Sequence, residues 1–178
     1  VLAQAVRTAT GGNFAIAGNV GPVGRPVAWA DASEGDAVAA AFAEQIAALV
    51  EAGVDLLLME TFSDGRELAT AVQVAKAICA LPVVASMSYG ADGLTLAGQR
   101  VDEVMTQLLA AGADVLGANC SVGPAQMVET LRVMRERAPN AILSVAPNAG
   151  LPTRDEDGVL HYPVGAAEFA NYAAHFWA

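Results

Sequence analysis

The sequence predicts an α/β fold of repeated β–α units around a parallel sheet, and three observations carry the prediction. Apolar runs of strand length recur over residues 14–18, 54–59, 82–87, 115–118 and 142–146, each nearly all apolar, as strands covered on both faces are. Segments with helical spacing of apolar residues lie between them. A short internal echo sets Leu49-Val50-Glu51-Ala52-Gly53-Val54-Asp55-Leu56-Leu57-Leu58-Met59-Glu60 beside Leu108-Leu109-Ala110-Ala111-Gly112-Ala113-Asp114-Val115-Leu116-Gly117-Ala118-Asn119. Each copy reads helix, glycine cap, strand, polar residue.

The chain opens on Val1-Leu2-Ala3-Gln4-Ala5-Val6, in helical periodicity and without an initiator Met. The first strand, at 14–18, leads into a loop spaced by Gly18, Gly21 and Gly24, with Pro22 setting the turn. Phe42, Ile46, Leu49 and Val50 mark the next helix, which Gly53 ends before the strand at 54–59. Leu68, Val72, Ala75 and Cys79 mark a helix before 82–87. Val101, Val104, Met105, Leu108 and Leu109 mark another before 115–118, and Met127, Leu131 and Met134 a fourth before 142–146. The chain stops at His175-Phe176-Trp177-Ala178, at the end of a further helical stretch.

Repeated β–α units with apolar strands mean a parallel sheet with right-handed crossovers, either doubly wound or closed into a (β/α)8 TIM barrel. A full barrel takes about 250 residues. Five units in 178 residues therefore read as one domain, 1–178, forming an incomplete barrel with both ends cut. Polar clusters fall just after each strand, at 19–24, 60–64, 86–89, 119–121 and 148–150, the rim on which barrel active sites are built.

The chain is 54% hydrophobic and 16% charged, enough apolar material for a sizeable core. Its net charge of -10, with basic residues scattered singly, makes nucleic acid and anionic membrane poor partners. No apolar run reaches the roughly 18 residues of a membrane-spanning helix, and the first residues lack a signal peptide pattern. Two cysteines in unlike settings, Cys79 on a helix and Cys120 at a strand end, fit a reducing, cytoplasmic location rather than a disulfide framework.

Cys120 follows Asn119 and precedes a Gly-Pro turn, which aims one thiol into the crevice at the strand ends as either nucleophile or metal ligand. Glu60 closes the run Leu56-Leu57-Leu58-Met59, so its carboxylate is partly desolvated at the rim and suits a substrate ammonium or a proton. Cys79 reads as core packing. The Gly18, Gly21, Gly24 loop can present N–H groups to an anion, but it matches neither the dinucleotide fingerprint nor the P-loop. His161 and His175 read as surface or packing residues, and Asp155-Glu156-Asp157-Gly158 as a solvated turn.

Gly21-Pro22-Val23-Gly24, Met59-Glu60-Thr61-Phe62-Ser63-Asp64, Gly117-Ala118-Asn119-Cys120-Ser121-Val122-Gly123-Pro124 and Pro147-Asn148-Ala149-Gly150-Leu151-Pro152 occur in that order. Together they resemble the homocysteine-binding domain of homocysteine S-methyltransferases, in the version of the bacterial cobalamin-dependent methionine synthase and its folate-linked relatives. The resemblance implies a zinc-dependent (β/α)8 barrel in which three cysteine thiolates hold the metal and the homocysteine sulfur takes the fourth position. Cys120 matches one of the three. The other two belong to an adjacent Cys-Cys pair expected beyond Ala178, and two barrel strands are expected before Val1.

Under the same resemblance Glu60 receives the substrate amino group, Asn119 and Asn148 orient ligand or loop, and Ser86 is a further substrate contact. The implied partners are homocysteine and a methyl-donor module supplying methyl through cobalamin or folate. With one zinc ligand at the rim, the chain alone is expected to bind zinc poorly, to catalyse nothing measurable and to associate through open sheet edges. Two rival expectations stand beside this one. In one, Cys120 is a covalent nucleophile in a barrel whose glycine loop binds phosphate; in the other, the chain is a non-catalytic fragment.

Overall fold

The structure, a computed structural model, describes residues 2–29 and 31–177, the side chain of Trp177 excepted. Val1 and Ala178, where the sequence analysis places the cut ends, lie outside the described residues. Among the described residues six helices and seven strands follow one another as α1 (Leu2–Thr10), β1 (Ala17–Val20), α2 (Ala32–Glu51), β2 (Leu56–Phe62), α3 (Gly65–Ile78), β3 (Val83–Met87), α4 (Val101–Ala111), β4 (Val115–Asn119), α5 (Pro124–Arg137), β5 (Ile142–Ala146), β6 (Thr153–Arg154), β7 (Leu160–His161) and α6 (Ala166–Trp177).

The first five strands form one parallel sheet in the order β1-β2-β3-β4-β5. A doubly wound sheet reverses its strand order at a switch point; this one does not. Helices α2 to α6 pack each against the next in a single layer, so the sheet is a five-strand stretch of (β/α) barrel wall, as the repeated units predict. No helix is long and apolar enough to cross a membrane, among the described residues.

Pairing register assigns the two faces. Val20, Leu57, Met59, Val83, Ala85, Met87, Leu116 and Ala118 point at the helices and are buried. They meet Phe42, Ile46, Leu68, Val72, Val104, Leu108, Met127 and Met134 in one continuous core. The other face, which lines the inside of the curve, carries Asn19, Leu58, Glu60, Val84, Ser86, Gly117 and Asn119. A Cβ on Gly117 would lie 2.8 Å from Ser86 Oγ, so glycine there lets the two strands lie flush.

Helix ends follow local chemistry. Asp31 and Asp64 cap α2 and α3 by accepting from the N–H of Ser33 and Arg66. Pro124 starts α5, and Gly112, with φ of 93°, ends α4 in the left-handed conformation that glycine adopts freely. The Asp102 carboxylate accepts from Arg100 Nε at 3.0 Å and Arg137 Nη2 at 2.8 Å, tying α4 to α5.

Two local expectations are corrected. The first strand is Ala17–Val20 rather than 14–18, because β1 pairs only where β2 begins, at Leu56. β2 does not stop at Met59 but runs through Glu60 and Thr61 to Phe62, whose ring is buried against Phe42. The acidic turn at 155–158 is exposed, as the sequence predicts, and joins a hairpin, β6–β7, that the sequence did not; there the exposed His161 has its Nε2 2.6 Å from Asp155 Oδ2.

Among the described residues β1 pairs only with β2 and β5 only with β4, which leaves backbone groups of both edges unpaired. The chain alone is expected to self-associate, read as a mass that rises with concentration in light scattering; a monomer at every concentration would contradict this. Hydrogen bonds from Arg137 and Arg100 lower the Asp102 carboxyl to about 2. The stability they contribute is complete above the ordinary carboxylate range and lost as pH falls towards 2. Asp102→Asn is expected to flatten that part of an acid-unfolding profile.

Candidate functional site on the strand-end rim

β2 and β4 build the site. Glu60 lies half-buried on the inner face, where Asn19 Nδ2 donates to its Oε1 at 2.5 Å. The pairing of β2 with β3 shifts register between Met59 and Phe62. Phe62 returns to the core, and the irregularity is taken up by Thr61, which has φ of 65°. A β-branched residue in the left-handed region is strained.

Asn119 ends β4 and is buried. Its Oδ1 accepts from the Thr61 N–H at 3.1 Å, and its Nδ2 donates to Thr61 Oγ1 at 2.8 Å and lies 3.3 Å from Cys120 Sγ. Its own carbonyl accepts from Ser88 Oγ at 3.0 Å. Asn119 thus reaches across the end of the shorter β3 and joins β2 to β4.

Cys120 and Ser121 follow with φ of 57° and 61°. By strand alternation Cys120 belongs on the helix face with Ala118. The left-handed turn instead brings its Sγ beside Asn119 and within 3.8 Å of Thr61 Oγ1. Thr61, Cys120 and Ser121 are the non-glycine residues with positive φ among the described residues. Each costs about 1–3 kcal/mol, and such strain concentrates at functional sites.

The β5 loop joins through its backbone. Asn148 N–H donates to the Val122 carbonyl at 3.0 Å, and Gly123 rests against Gly150, where a Cβ would lie 3.1 Å from the Gly150 Cα. The structure therefore gathers Glu60, Asn119 and Cys120, while Asn148 is tied in by its main chain. Ser86 sits buried below the rim beside Gly117, outside the hydrogen bonds that surround Asn119.

Sequence reasoning gave no role to Asn19, Thr61, Ser88 or Glu67. Asn19 follows the first apolar run, 14–18, as Glu60 and Asn119 follow theirs, so extending the internal echo to the first strand finds it. Glu67 is an acid on the buried stripe of α3, with Ala71 and Ala75, and that misplacement is its signal. Its Oε1 accepts from the Val23 N–H at 2.7 Å. Burial, with the nearby Asp64 charge adding, raises the Glu67 carboxyl above its ordinary value, and the Val23 hydrogen bond opposes the rise.

Two chemistries can be weighed on this geometry. A carboxylate already occupies a loop N–H, which argues against phosphate at the Gly21-Pro22-Val23-Gly24 loop. A zinc centre needs at least three protein ligands, and no three His, Cys, Asp or Glu side chains gather among the described residues. Cys79 ends α3 ahead of β3, at the opposite end of the sheet from Cys120. The residues present offer zinc one soft donor at the rim and do not by themselves complete its site.

Fold and rim together define a thiol-bearing barrel domain. The chain belongs to the homocysteine S-methyltransferase family, whose model matches residues 1–178. Methionine synthase of Mycobacterium tuberculosis (strain ATCC 25618 / H37Rv) is 33% identical over 141 residues, 76% of this chain and 12% of that protein. Betaine–homocysteine S-methyltransferase 1 of Danio rerio is 37% identical over 94 residues, 53% of this chain and 23% of that protein. The apo form of the Escherichia coli homocysteine methyltransferase MmuM shares the fold with a TM-score of 0.68 at 23% identity, over 84% of this chain and 55% of that one. The chain thus spans about half the length of that solved relative and less of the curated ones.

Asn119→Ala would strand the Thr61 N–H and leave its strained conformation unsupported, so a loss of about 1–3 kcal/mol in unfolding free energy is expected by urea titration. Thr61→Gly, added to it, is expected to recover part of the loss, because glycine adopts positive φ without strain.

Proposed function

We propose that the protein carrying this chain transfers a methyl group to the thiol of homocysteine and releases methionine. The observation that carries the reading is the joining of Glu60 and Cys120 through one clamp: Thr61, next to Glu60, shares Asn119 with the Cys120 thiol. Glu60, held by Asn19, receives the substrate ammonium. Asn119 holds Cys120 in place, Asn148 orients the loop after β5 beside it, and Ser86 lines the inner face of β3 beneath the rim.

In this reading Cys120 would be one thiolate ligand of a zinc ion, and zinc, when bound, would lower the pKa of a coordinated thiol so that homocysteine reacts as a thiolate near neutral pH. Methyl transfer then forms a carbon–sulfur bond with the sulfur lone pair while the donor departs with the electrons of the bond it loses. The thiol proton passes to solvent when the thiolate forms. The donor is methylcobalamin, a methylated folate acting through cobalamin, or S-methylmethionine, presented by another module.

The test compares zinc content and methionine formation for this chain alone and within a complete eight-stranded barrel. The complete barrel is expected to hold one zinc and make methionine; this chain alone is expected to do neither. Cys120→Ser should abolish both in the barrel. Glu60→Gln should keep the zinc and raise the homocysteine KM by about 10–100-fold, the worth of a hydrogen bond to a charged group. A complete barrel without zinc in which Cys120 remains reactive would sink the reading.

A further inference from the structure

The Gly21-Pro22-Val23-Gly24 loop was conspicuous in the sequence, and none of the chemistry above uses it. The first turn of α3 holds it. Glu67 Oε1 accepts from the Val23 N–H at 2.7 Å, Asp64 Oδ2 accepts from Trp29 Nε1 at 3.0 Å, and the Arg66 guanidinium lies 5.6 Å from the centre of the Trp29 ring. Elsewhere the loop faces a cleft of about 500 Å³, lined by Pro22, Arg25, Val27, Ser63 and Leu96 among others. Val23, Val27 and Trp29 pack partly buried against the core, and the polar contacts fix how the main chain runs between them.

Val23 lies four residues after Asn19, which sits near the end of β1 and whose amide donates to Glu60. A buried carboxylate on a helix is costly unless hydrogen-bonded, and the bond that Glu67 makes lies on the chain leading back to Asn19. We infer that Glu67 is a positioning residue: by holding the Val23 N–H it sets the path of β1 into the loop, and through Asn19 the placement of the Glu60 carboxylate. The consequence for homocysteine rests on the role proposed for Glu60. The tether itself needs neither substrate nor metal.

Amide exchange by NMR on this chain, without zinc or homocysteine, tests the tether apart from the methyltransferase reading. In Glu67→Ala, the Val23 amide and the Asn19 side-chain amide should exchange about tenfold faster or more, as loss of one hydrogen bond to a charged group implies, while the Ala85 core amide keeps its wild-type rate. Glu67→Gln retains an acceptor oxygen and should hold both amides near their wild-type rates. Val23→Pro deletes the N–H at the other end of the bond and should loosen the Asn19 amide likewise, which decides the matter if Glu67→Ala fails to fold. An Asn19 amide unchanged in Glu67→Ala or Val23→Pro overturns the inference, as does a Glu67→Gln protein that behaves like Glu67→Ala.

Discussion

The rim of this protein depends on one side-chain amide. Asn119 accepts the N–H of Thr61 and donates to its hydroxyl, two hydrogen bonds between residues 58 positions apart on strands that are not neighbours. Thr61 is held in a backbone conformation that a β-branched residue does not take freely, so the clamp is what offsets the strain. With it, β2 can carry Glu60 on the inner face and still return Phe62 to the core. The clamp holds the end of β2 beside the turn that presents Cys120, and Ser88, donating to the Phe62 and Asn119 carbonyls, bridges the same two strand ends.

The end of β2 is also where the neighbouring loops converge. The Ala97 N–H donates to the Ser63 carbonyl, Gln99 accepts the Gly65 N–H at the start of α3, and Ser88 N–H donates to the Phe62 carbonyl. On the other side Glu67 and Asp64 take the loop that leaves β1. Apolar burial between sheet and helices fixes where the strands lie, but it is indifferent to how their polar ends point. Directional hydrogen bonds, mostly to main-chain groups, make that choice and make it once for the whole rim.

The same division explains why the rim is suited to one half of a task. A thiol, a carboxylate and an orienting amide are brought together at the ends of β2 and β4, across the end of β3, in a setting partly removed from water. Electrostatic contacts count for more there than in bulk solvent. A metal centre of several thiolates asks for donors that converge from more than one strand end, and the second cysteine of this chain faces away from the site at the far end of the sheet.

The strands were legible because a sheet buried on both faces demands continuous apolar runs, and the glycine-capped echo fixed the unit that repeats. Glu60, Asn119 and Cys120 were legible for a related reason, since a polar residue closing such a run has to emerge at the rim. The sequence could not say that β2 continues past Glu60, because the residue that extends it, Phe62, earns its place through contact with Phe42 on another helix. Nor could it single out Thr61, whose partner lies 58 positions away, or name the partner of Glu67, 44 positions away. Periodicity and local turn chemistry act within a few residues, and so the sequence by itself determined the β–α units, their parallel sheet and which residues reach its rim. Hydrogen bonds between distant strand ends form only once the sheet has brought them together, and so the tertiary structure alone decided which of those residues meet, in what conformation, and at what strain.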